Sequence, residues 1–208
     1  MQKIMFDDLY NLTQAVVKGR KTVTRRIIPE DFFTLNWNRR GDTLVYENAN
    51  GEFIDIRDSK YCKYKVGEEV AIAQSYNNIF NEMMKDGSDW DLYEDFRCCA
   101  MGFEQAGNKN KMFVRPELMP HRIKITNIRV ERLQDIDLED CLKEGVVYTC
   151  SMLKFFQFAI YRKGKITPIE FRFAQDAFAY LIDHTGGNGK GTWKDNPWVF
   201  VYEFKLLH

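Results

Sequence analysis

The fold is decided by a basic stretch near the N-terminus, Lys18-Gly19-Arg20-Lys21-Thr22-Val23-Thr24-Arg25-Arg26. Five of these nine residues are cationic, although the whole chain has a formal net charge of zero. The apolar spacing of residues 7–17 predicts a short helix before the stretch. Gly19 then has the place of a helix C-cap, because glycine adopts the left-handed backbone without strain. Residues 22–28 are rich in β-branched side chains and predict a strand.

Length and composition limit the class of protein. A chain of 208 residues with 45% hydrophobic and 14% aromatic residues can bury a sizeable core. No apolar run approaches the roughly 20 residues of a membrane span, and residues 1–10 do not resemble a signal peptide. The five cysteines are an odd set without metal-ligand spacing. We therefore expect a cytoplasmic protein with reduced thiols, no membrane contact, no metal and no cofactor.

The first half of the chain predicts short strands and one insertion. Residues 43–47 and 52–57 alternate in polarity around a loop that ends in Asn-Gly, which predicts a hairpin. Residues 64–66 and 69–76 predict two further strand segments. Alternation then weakens, and we interpret residues 77–115 as an insertion, with a helix over 79–85 and a hairpin that pairs 96–103 with 111–115.

The second half predicts one long strand, two helices and a closing strand. Over residues 122–133 the apolar positions change parity, which requires a bulge or bend near Thr126-Asn127. Asp137 predicts the cap of a short helix that ends before Gly145. The capping box at residues 167–170 predicts the start of a helix that continues to about residue 184. Residues 198–206 alternate and predict the last strand.

These elements predict a single α+β domain over residues 1–208. Many short sequential strands with a few peripheral helices are typical of a curled sheet or barrel. Residues 77–115 form the insertion in this domain.

The motif Gly19-x-Lys21-x-x-Thr24-x-Arg26 resembles the G-x-K-x-x-T-x-R signature of the ASCH family, a branch of the PUA-like superfamily. Other segments resemble the phage-type members of this family and occur in the family's order. They are Lys65-Val66-Gly67-Glu68 through Tyr76, Met119-Pro120 with Arg122-Ile123, Glu131 through Glu144-Gly145, and Trp193 through Asn196-Pro197-Trp198-Val199. The resemblance covers nearly the whole chain and implies a PUA-like β-barrel with helices around its rim.

The resemblance also implies chemistry. PUA-like barrels as a class bind RNA or modified nucleosides, and some ASCH members remove an acyl group from acetylated cytidine. Their catalytic lysine and threonine correspond to Lys21 and Thr24, but their catalytic glutamate corresponds to Gln74 in this chain. A neutral amide can hold a substrate, whereas it cannot exchange a proton at a useful pH.

Our first hypothesis is therefore a binding module for RNA, a nucleotide or a nucleoside. The basic turn would meet phosphate groups, an amide could contact a base edge, and an aromatic ring could stack on a base. The candidate ligand-binding residues are Gly19, Arg20, Lys21, Thr24, Arg26, Gln74, Tyr76 and Trp193.

Two alternatives stay open at this point. The protein could be an amidohydrolase for acetylated cytidine, with Thr24 as the nucleophile and Lys21 as the base that removes its proton. A lysine can have this role if burial lowers its pKa. The chain could instead be a protein-interaction module that uses its acidic segment, residues 82–95.

Overall fold

The computed structural model describes five ranges of the chain: residues 1–86, 106–149, 157–162, 169–185 and 192–207. Within them the protein is α+β, with several β-sheets and several helices. The chain divides into two compact units. Unit 1 comprises Met1–Phe6, Glu69–Ile123 and Leu206–His208, and unit 2 comprises Asp7–Glu68 and Lys124–Lys205.

The described strands and helices are numbered in chain order. The strands are β1 Gln2–Ile4, β2 Val23–Ile27, β3 Trp37–Arg40, β4 Thr43–Glu47, β5 Phe53–Asp55, β6 Glu69–Ile72, β7 Arg122–Arg132, β8 Val147–Tyr148, β9 Phe158–Ile160, β10 Ile169–Phe171 and β11 Trp198–Leu207. The α-helices are α1 Leu12–Val17, α2 Tyr76–Asp86, α3 Leu138–Lys143, α4 Ala174–His184 and α5 Thr192–Asp195. Short 3-10 turns occupy Glu30–Thr34, Ile56–Asp58, Lys111–Phe113, Pro116–Leu118 and Leu133–Asp135.

Unit 1 is built on a parallel strand pair and one helix. Strand β1 pairs with β6 from Gln2↔Val70 to Ile4↔Ile72. Helix α2 follows β6, and its buried side chains pack into a small apolar core. That core comprises Ala71, Ala73, Tyr76, Ile79, Val114 and Met119. The predicted insertion, residues 77–115, belongs to this unit.

Unit 2 contains three groups of strands. Strand β11 lies between β7 and β2, and its antiparallel register with β2 pairs Thr24 with Tyr202 and Arg26 with Phe200. Strands β3, β4 and β5 form an antiparallel meander. Strands β8, β9 and β10 form a third antiparallel sheet. The pairing of β2 with β11 is the element that positions the basic stretch.

Several sequence predictions are confirmed. Strand β7 spans eleven residues, and its buried positions change parity across the exposed pair Thr126-Asn127. The β4–β5 hairpin is formed, with Gly51 at a φ of +79° in its loop. Asp137 caps α3, because its side chain accepts a hydrogen bond of 2.7 Å from the backbone N–H of Asp140.

Other predictions about the first half are wrong. Helix α1 begins only at Leu12, because Asn11 has a left-handed backbone with φ of +56° that interrupts a helix. Strand β3 was not predicted, and residues 64–66 belong to no strand. The strand predicted over 69–76 ends at Ile72, since Tyr76 already begins α2.

Predictions about two later segments are also wrong where the structure describes them. The strand predicted at 111–115 is a 3-10 turn, whereas its predicted partner, residues 96–103, lies outside the described residues. Helix α4 begins at Ala174, not at 168, because Ile169–Phe171 pairs with β9 as a strand. Cross-strand pairing has overridden the local capping signal there.

Within the described residues, no helix is both long and apolar enough to cross a lipid bilayer.

Candidate functional site

The turn between α1 and β2 positions the start of the basic stretch. Gly19 has a φ of +70°, and its N–H donates to the carbonyl of Val16 at 2.8 Å. This left-handed residue ends the helix, as the sequence predicts. The carbonyl of Ala15 then accepts from the N–H of Lys21 at 3.0 Å, so the chain turns sharply before the strand. Gly19 and Arg20 are exposed on this turn.

The Lys21 side chain points into unit 2 and is buried. It is 2% exposed, and its amine donates to the carbonyl oxygen of Glu144 at 2.9 Å and to the carboxylate of the same residue. Burial lowers the pKa of Lys21, because desolvation disfavours the charged amine more than Glu144 favours it. An amine held in this way is not available at the surface to contact a phosphate.

Arg25 joins the same carboxylate to two others. Its guanidinium donates to Glu131 at 2.6 Å, to Asp140 at 2.6 Å and to Glu144 at 3.2 Å. Burial opposes its positive charge, but the three carboxylates outweigh this effect and raise the pKa of Arg25. Arg129 extends the network, since it also donates to Asp140 at 2.6 Å. We call these residues, together with Lys21, the buried ion network.

Thr24 and Arg26 lie on the opposite face of β2 from Arg25, because side chains alternate along a strand. Thr24 is buried and pairs across the sheet with Tyr202. The ring of Tyr202 packs edge-on against Tyr64, with 5.3 Å between the centroids. One face of β2, which carries Arg25, thus contacts the buried ion network. The opposite face carries Thr24 and Arg26, two residues of the signature.

The positive charge of Arg26 affects the pKa of both Tyr64 and Lys21. Burial raises the pKa of Tyr64 to about 12, and the positive charge of Arg26 partly opposes that rise. Arg26 also contributes to the lowered pKa of Lys21, after the larger effect of burial.

A cavity of about 560 Å³ lies beside Arg26 in unit 2. Its apolar lining is provided by Ile27, Ile28, Pro29 and Pro197, and its polar lining by Arg26, Glu30, Thr192 and Asp195. Known small-molecule sites span about 300–1,000 Å³ and combine apolar walls with a few polar groups. The volume of this cavity lies in that range, and its described lining residues are half apolar and half polar. Among the described lining residues, Arg26 is the member of the predicted site.

Trp193 lies beside the cavity rather than in its described lining. It belongs to α5, which supplies Thr192 and Asp195 to the cavity. Its ring is half-buried and packs edge-on against Phe178 at 6.0 Å between centroids. Its contribution to base stacking stays a prediction.

Gln74 and Tyr76 belong to unit 1. Gln74 is 2% exposed and its Nε2 donates to the carboxylate of Glu82 at 3.0 Å, whereas its Oε1 has no hydrogen-bond donor within the described residues. Tyr76 is buried in the core of this unit, and its hydroxyl accepts from the N–H of Arg115 at 2.9 Å. That both residues share a site with Lys21 stays a prediction.

Two residues of the site were missed by sequence reasoning. Glu144 was considered only as part of the family-like segment that ends in Glu144-Gly145, and nothing local indicates that it contacts Lys21, 123 positions away. Tyr64 was placed in a strand and had no signal as a site residue. Part of the acidic segment, residues 87–95, lies outside the described residues.

The described residues contain no group of three or more His, Cys, Asp or Glu side chains arranged to hold a metal ion.

No protein-family model, curated protein or solved structure matches this chain. The structure defines an α+β protein with a partly polar cavity beside a basic strand. The resemblance to a family rests on the sequence motifs alone.

Proposed function

We propose that this protein binds a nucleoside or nucleotide in the cavity beside Arg26. As part of the same proposal, the chain is a phage-type ASCH protein and its sheets correspond to a PUA-like barrel. One observation carries the proposal: the arginine of the G-x-K-x-x-T-x-R signature lines a cavity of about 560 Å³.

The chemistry of the cavity fits a nucleoside. A base has apolar faces and polar edges, and the cavity offers apolar walls with polar groups at a few points. The Arg26 guanidinium can donate to base oxygens or ring nitrogens, or stack on the ring. The carboxylates of Glu30 and Asp195 can accept hydrogen bonds from amino or ribose hydroxyl groups. A free nucleoside therefore has partners for both its donors and its acceptors.

Isothermal titration with cytidine tests this proposal. The Arg26→Ala variant should bind cytidine about tenfold or more weakly, because a hydrogen bond from a charged donor typically contributes 1.5–3 kcal/mol. Lys18→Ala is the control, since it removes one positive charge from the same stretch at an exposed position outside the described cavity lining. Absence of binding to the wild-type protein at millimolar cytidine, or equal losses in both variants, contradicts the proposal.

Amidohydrolysis of acetylated cytidine is a second candidate, and the burial of Lys21 favours it. A lysine with a lowered pKa can accept the Thr24 hydroxyl proton as the oxygen bonds to the acyl carbon. That proton would then pass to the departing cytidine amine, and water would release acetate from the threonine ester. Two features oppose this activity. Gln74 stands in place of the family glutamate, and the Lys21 amine shares the Glu144 carboxylate with Arg25, whereas Thr24 lies on the opposite face of β2.

Release of acetate from acetylated cytidine measures this second candidate directly. Thr24→Val should abolish turnover while it keeps the shape of the side chain, and Gln74→Glu should increase turnover. Thr22→Val, two residues away on the same segment, is the control that should keep activity. If neither the wild type nor the Gln74→Glu variant releases acetate, the hydrolase candidate is eliminated.

A further inference from the structure

A pair of arginines flanks Trp198, the first residue of β11. The guanidinium carbon of Arg132 lies 4.6 Å from the centroid of the Trp198 ring, and that of Arg39 lies 5.6 Å from it. Because both distances end at the same ring, the two guanidinium carbons are at most about 10 Å apart. Two like charges thus converge on one side chain of unit 2.

These two charges have no carboxylate partner among the described residues. Arg39 donates to the carbonyl of Gly41 at 3.1 Å, and Arg132 donates to the carbonyl of Asn196 at 3.0 Å. Both side chains are exposed, so most of their donors face solvent. The indole Nε1 of Trp198 is buried and also has no acceptor within the described part of the chain. This neighbourhood therefore has an excess of donors and of positive charge.

The arginine pair borders the cavity through the backbone. Asn196, whose carbonyl holds Arg132, lies between Asp195 and Pro197, and both of these neighbours line the cavity. The N–H of Ile28, another lining residue, donates to the carbonyl of Trp198 at 3.0 Å. The cationic pair and the cavity are thus connected through the backbone of residues 195–198 in unit 2.

The cavity and the arginine pair differ in the sign of their charge. The described cavity lining has two acidic residues, Glu30 and Asp195, and one cationic residue, Arg26, so its net charge is negative and repels a phosphate group. The surface at Trp198 carries Arg39 and Arg132 and attracts one, since guanidinium groups match phosphate geometry. A ligand with an uncharged half and a phosphate half fits this division.

We infer that Arg39 and Arg132 bind the phosphate of a nucleotide whose nucleoside part occupies the cavity. The base and ribose assignment rests on the proposed function, whereas the phosphate assignment stands on the arginine pair alone. The ligand class is then a nucleotide, free or within a single strand, rather than an unphosphorylated nucleoside.

Three probes test this inference on the full-length chain: cytidine, cytidine 5′-monophosphate and a single-stranded RNA hexamer. The monophosphate should bind more tightly than cytidine. Arg39→Ala should weaken the binding of the monophosphate about five- to tenfold and leave the binding of cytidine unchanged. Arg40→Ala is the matched control, because Arg40 is an exposed neighbour on the same strand whose guanidinium lies over Phe53 instead, at 4.3 Å. It should leave the binding of all three probes unchanged.

Salt dependence separates a phosphate contact from a structural effect. For the RNA hexamer, each lost phosphate contact should reduce the slope of log K against log salt by about 0.7. Arg132→Lys is the second variant, since it keeps the charge near Asn196 but loses the planar fork. It should weaken the binding of the monophosphate and keep most of the salt dependence of hexamer binding.

The outcomes distinguish the two proposals. If cytidine does not bind but the monophosphate binds in an Arg39-dependent way, the cavity assignment fails and the arginine pair stands. If cytidine binds and the phosphate adds no affinity, or Arg39→Ala and Arg40→Ala behave alike, the inference about the arginine pair is overturned. Tighter binding of the hexamer than of the monophosphate identifies a strand as the ligand, and equal affinity identifies a free nucleotide.

Discussion

Separating Lys21 from Glu144 tests whether burial gives their contact its strength. The side chains of this pair are 2% and 5% exposed, so solvent does not screen them. Removing one partner of a buried ion pair typically costs about 3–5 kcal/mol. Glu144→Leu should cost that amount, because the buried Lys21 amine would lose the carboxylate that balances its charge. Lys21→Met should cost less, about 2 kcal/mol, because Arg25 still lies 3.2 Å from the Glu144 carboxylate.

The double variant Lys21→Met/Glu144→Leu completes the cycle. It buries neither charge, and Arg25 keeps Glu131 and Asp140 as partners. We therefore expect it to be more stable than the sum of the single losses by about 2 kcal/mol. Urea unfolding, followed in parallel by circular dichroism and tryptophan fluorescence, gives each free energy of unfolding. The two probes must report the same transition for the comparison to hold.

A matched pair in the same part of the chain provides the control. Lys143 and Glu139 are 2.6 Å apart within α3, with side chains 41% and 74% exposed. A helical pair of this kind contributes only about 0.3–0.5 kcal/mol. Variants Lys143→Met and Glu139→Leu should therefore couple weakly. A coupling for Lys21 and Glu144 no larger than this control refutes the argument from burial.

Two further predictions concern the backbone and the response to acid. Gly19→Ala and Gly145→Ala should both lower the melting temperature, because each glycine has a positive φ. The decrease should be larger for Gly145→Ala, since its new Cβ would lie 2.9 Å from Leu12 Cδ2. Equal decreases would show that backbone strain alone determines the effect. Burial alone would raise the pKa of Asp140, but Arg129 and Arg25 outweigh burial and lower it. The contribution of Asp140 to the free energy of unfolding is therefore present above its unfolded pKa of about 3.9. It is lost as the pH falls through the lower pKa of the folded state. Asp140→Asn should flatten the unfolding free energy against pH in that acid range, and an unchanged slope would exclude Asp140 as a source of acid lability.

Local patterns predicted those parts of the fold that depend on neighbours in sequence. The parity change at Thr126-Asn127 is visible because buried residues must alternate along a strand, so a single strand with two apolar parities needs a break. Gly19 and Asp137 were assigned correctly because a cap depends on one residue and its own helix end. Residues 169–171 show the limit, since pairing with β9 decides their conformation.

The candidate site could be predicted only in part, because local sequence patterns do not show contacts between residues that are far apart in the chain. The spacing of Lys21, Thr24 and Arg26 predicts a site, but it does not say where each side chain points. Glu144 is far from Lys21 in sequence, and only the packing of α3 beside the basic stretch brings the two together. The cavity is even less local, because α5 and the end of β2 form it jointly.

Strand β2 shows how adjacent arginines acquire different roles. Arg25 and Arg26 are adjacent in the sequence, yet Arg25 contacts the buried ion network, whereas Arg26 lies on the other face of β2 and belongs to the cavity lining. Arg25→Met should therefore destabilise the fold by about 3–5 kcal/mol, since it leaves buried carboxylates without their cation. Arg26→Ala should lower the free energy of unfolding in urea much less, and it should weaken cytidine binding about tenfold or more. If Arg26→Ala destabilises the protein as strongly as Arg25→Met, Arg26 belongs to the scaffold, and the cavity loses the residue that connects it to the signature.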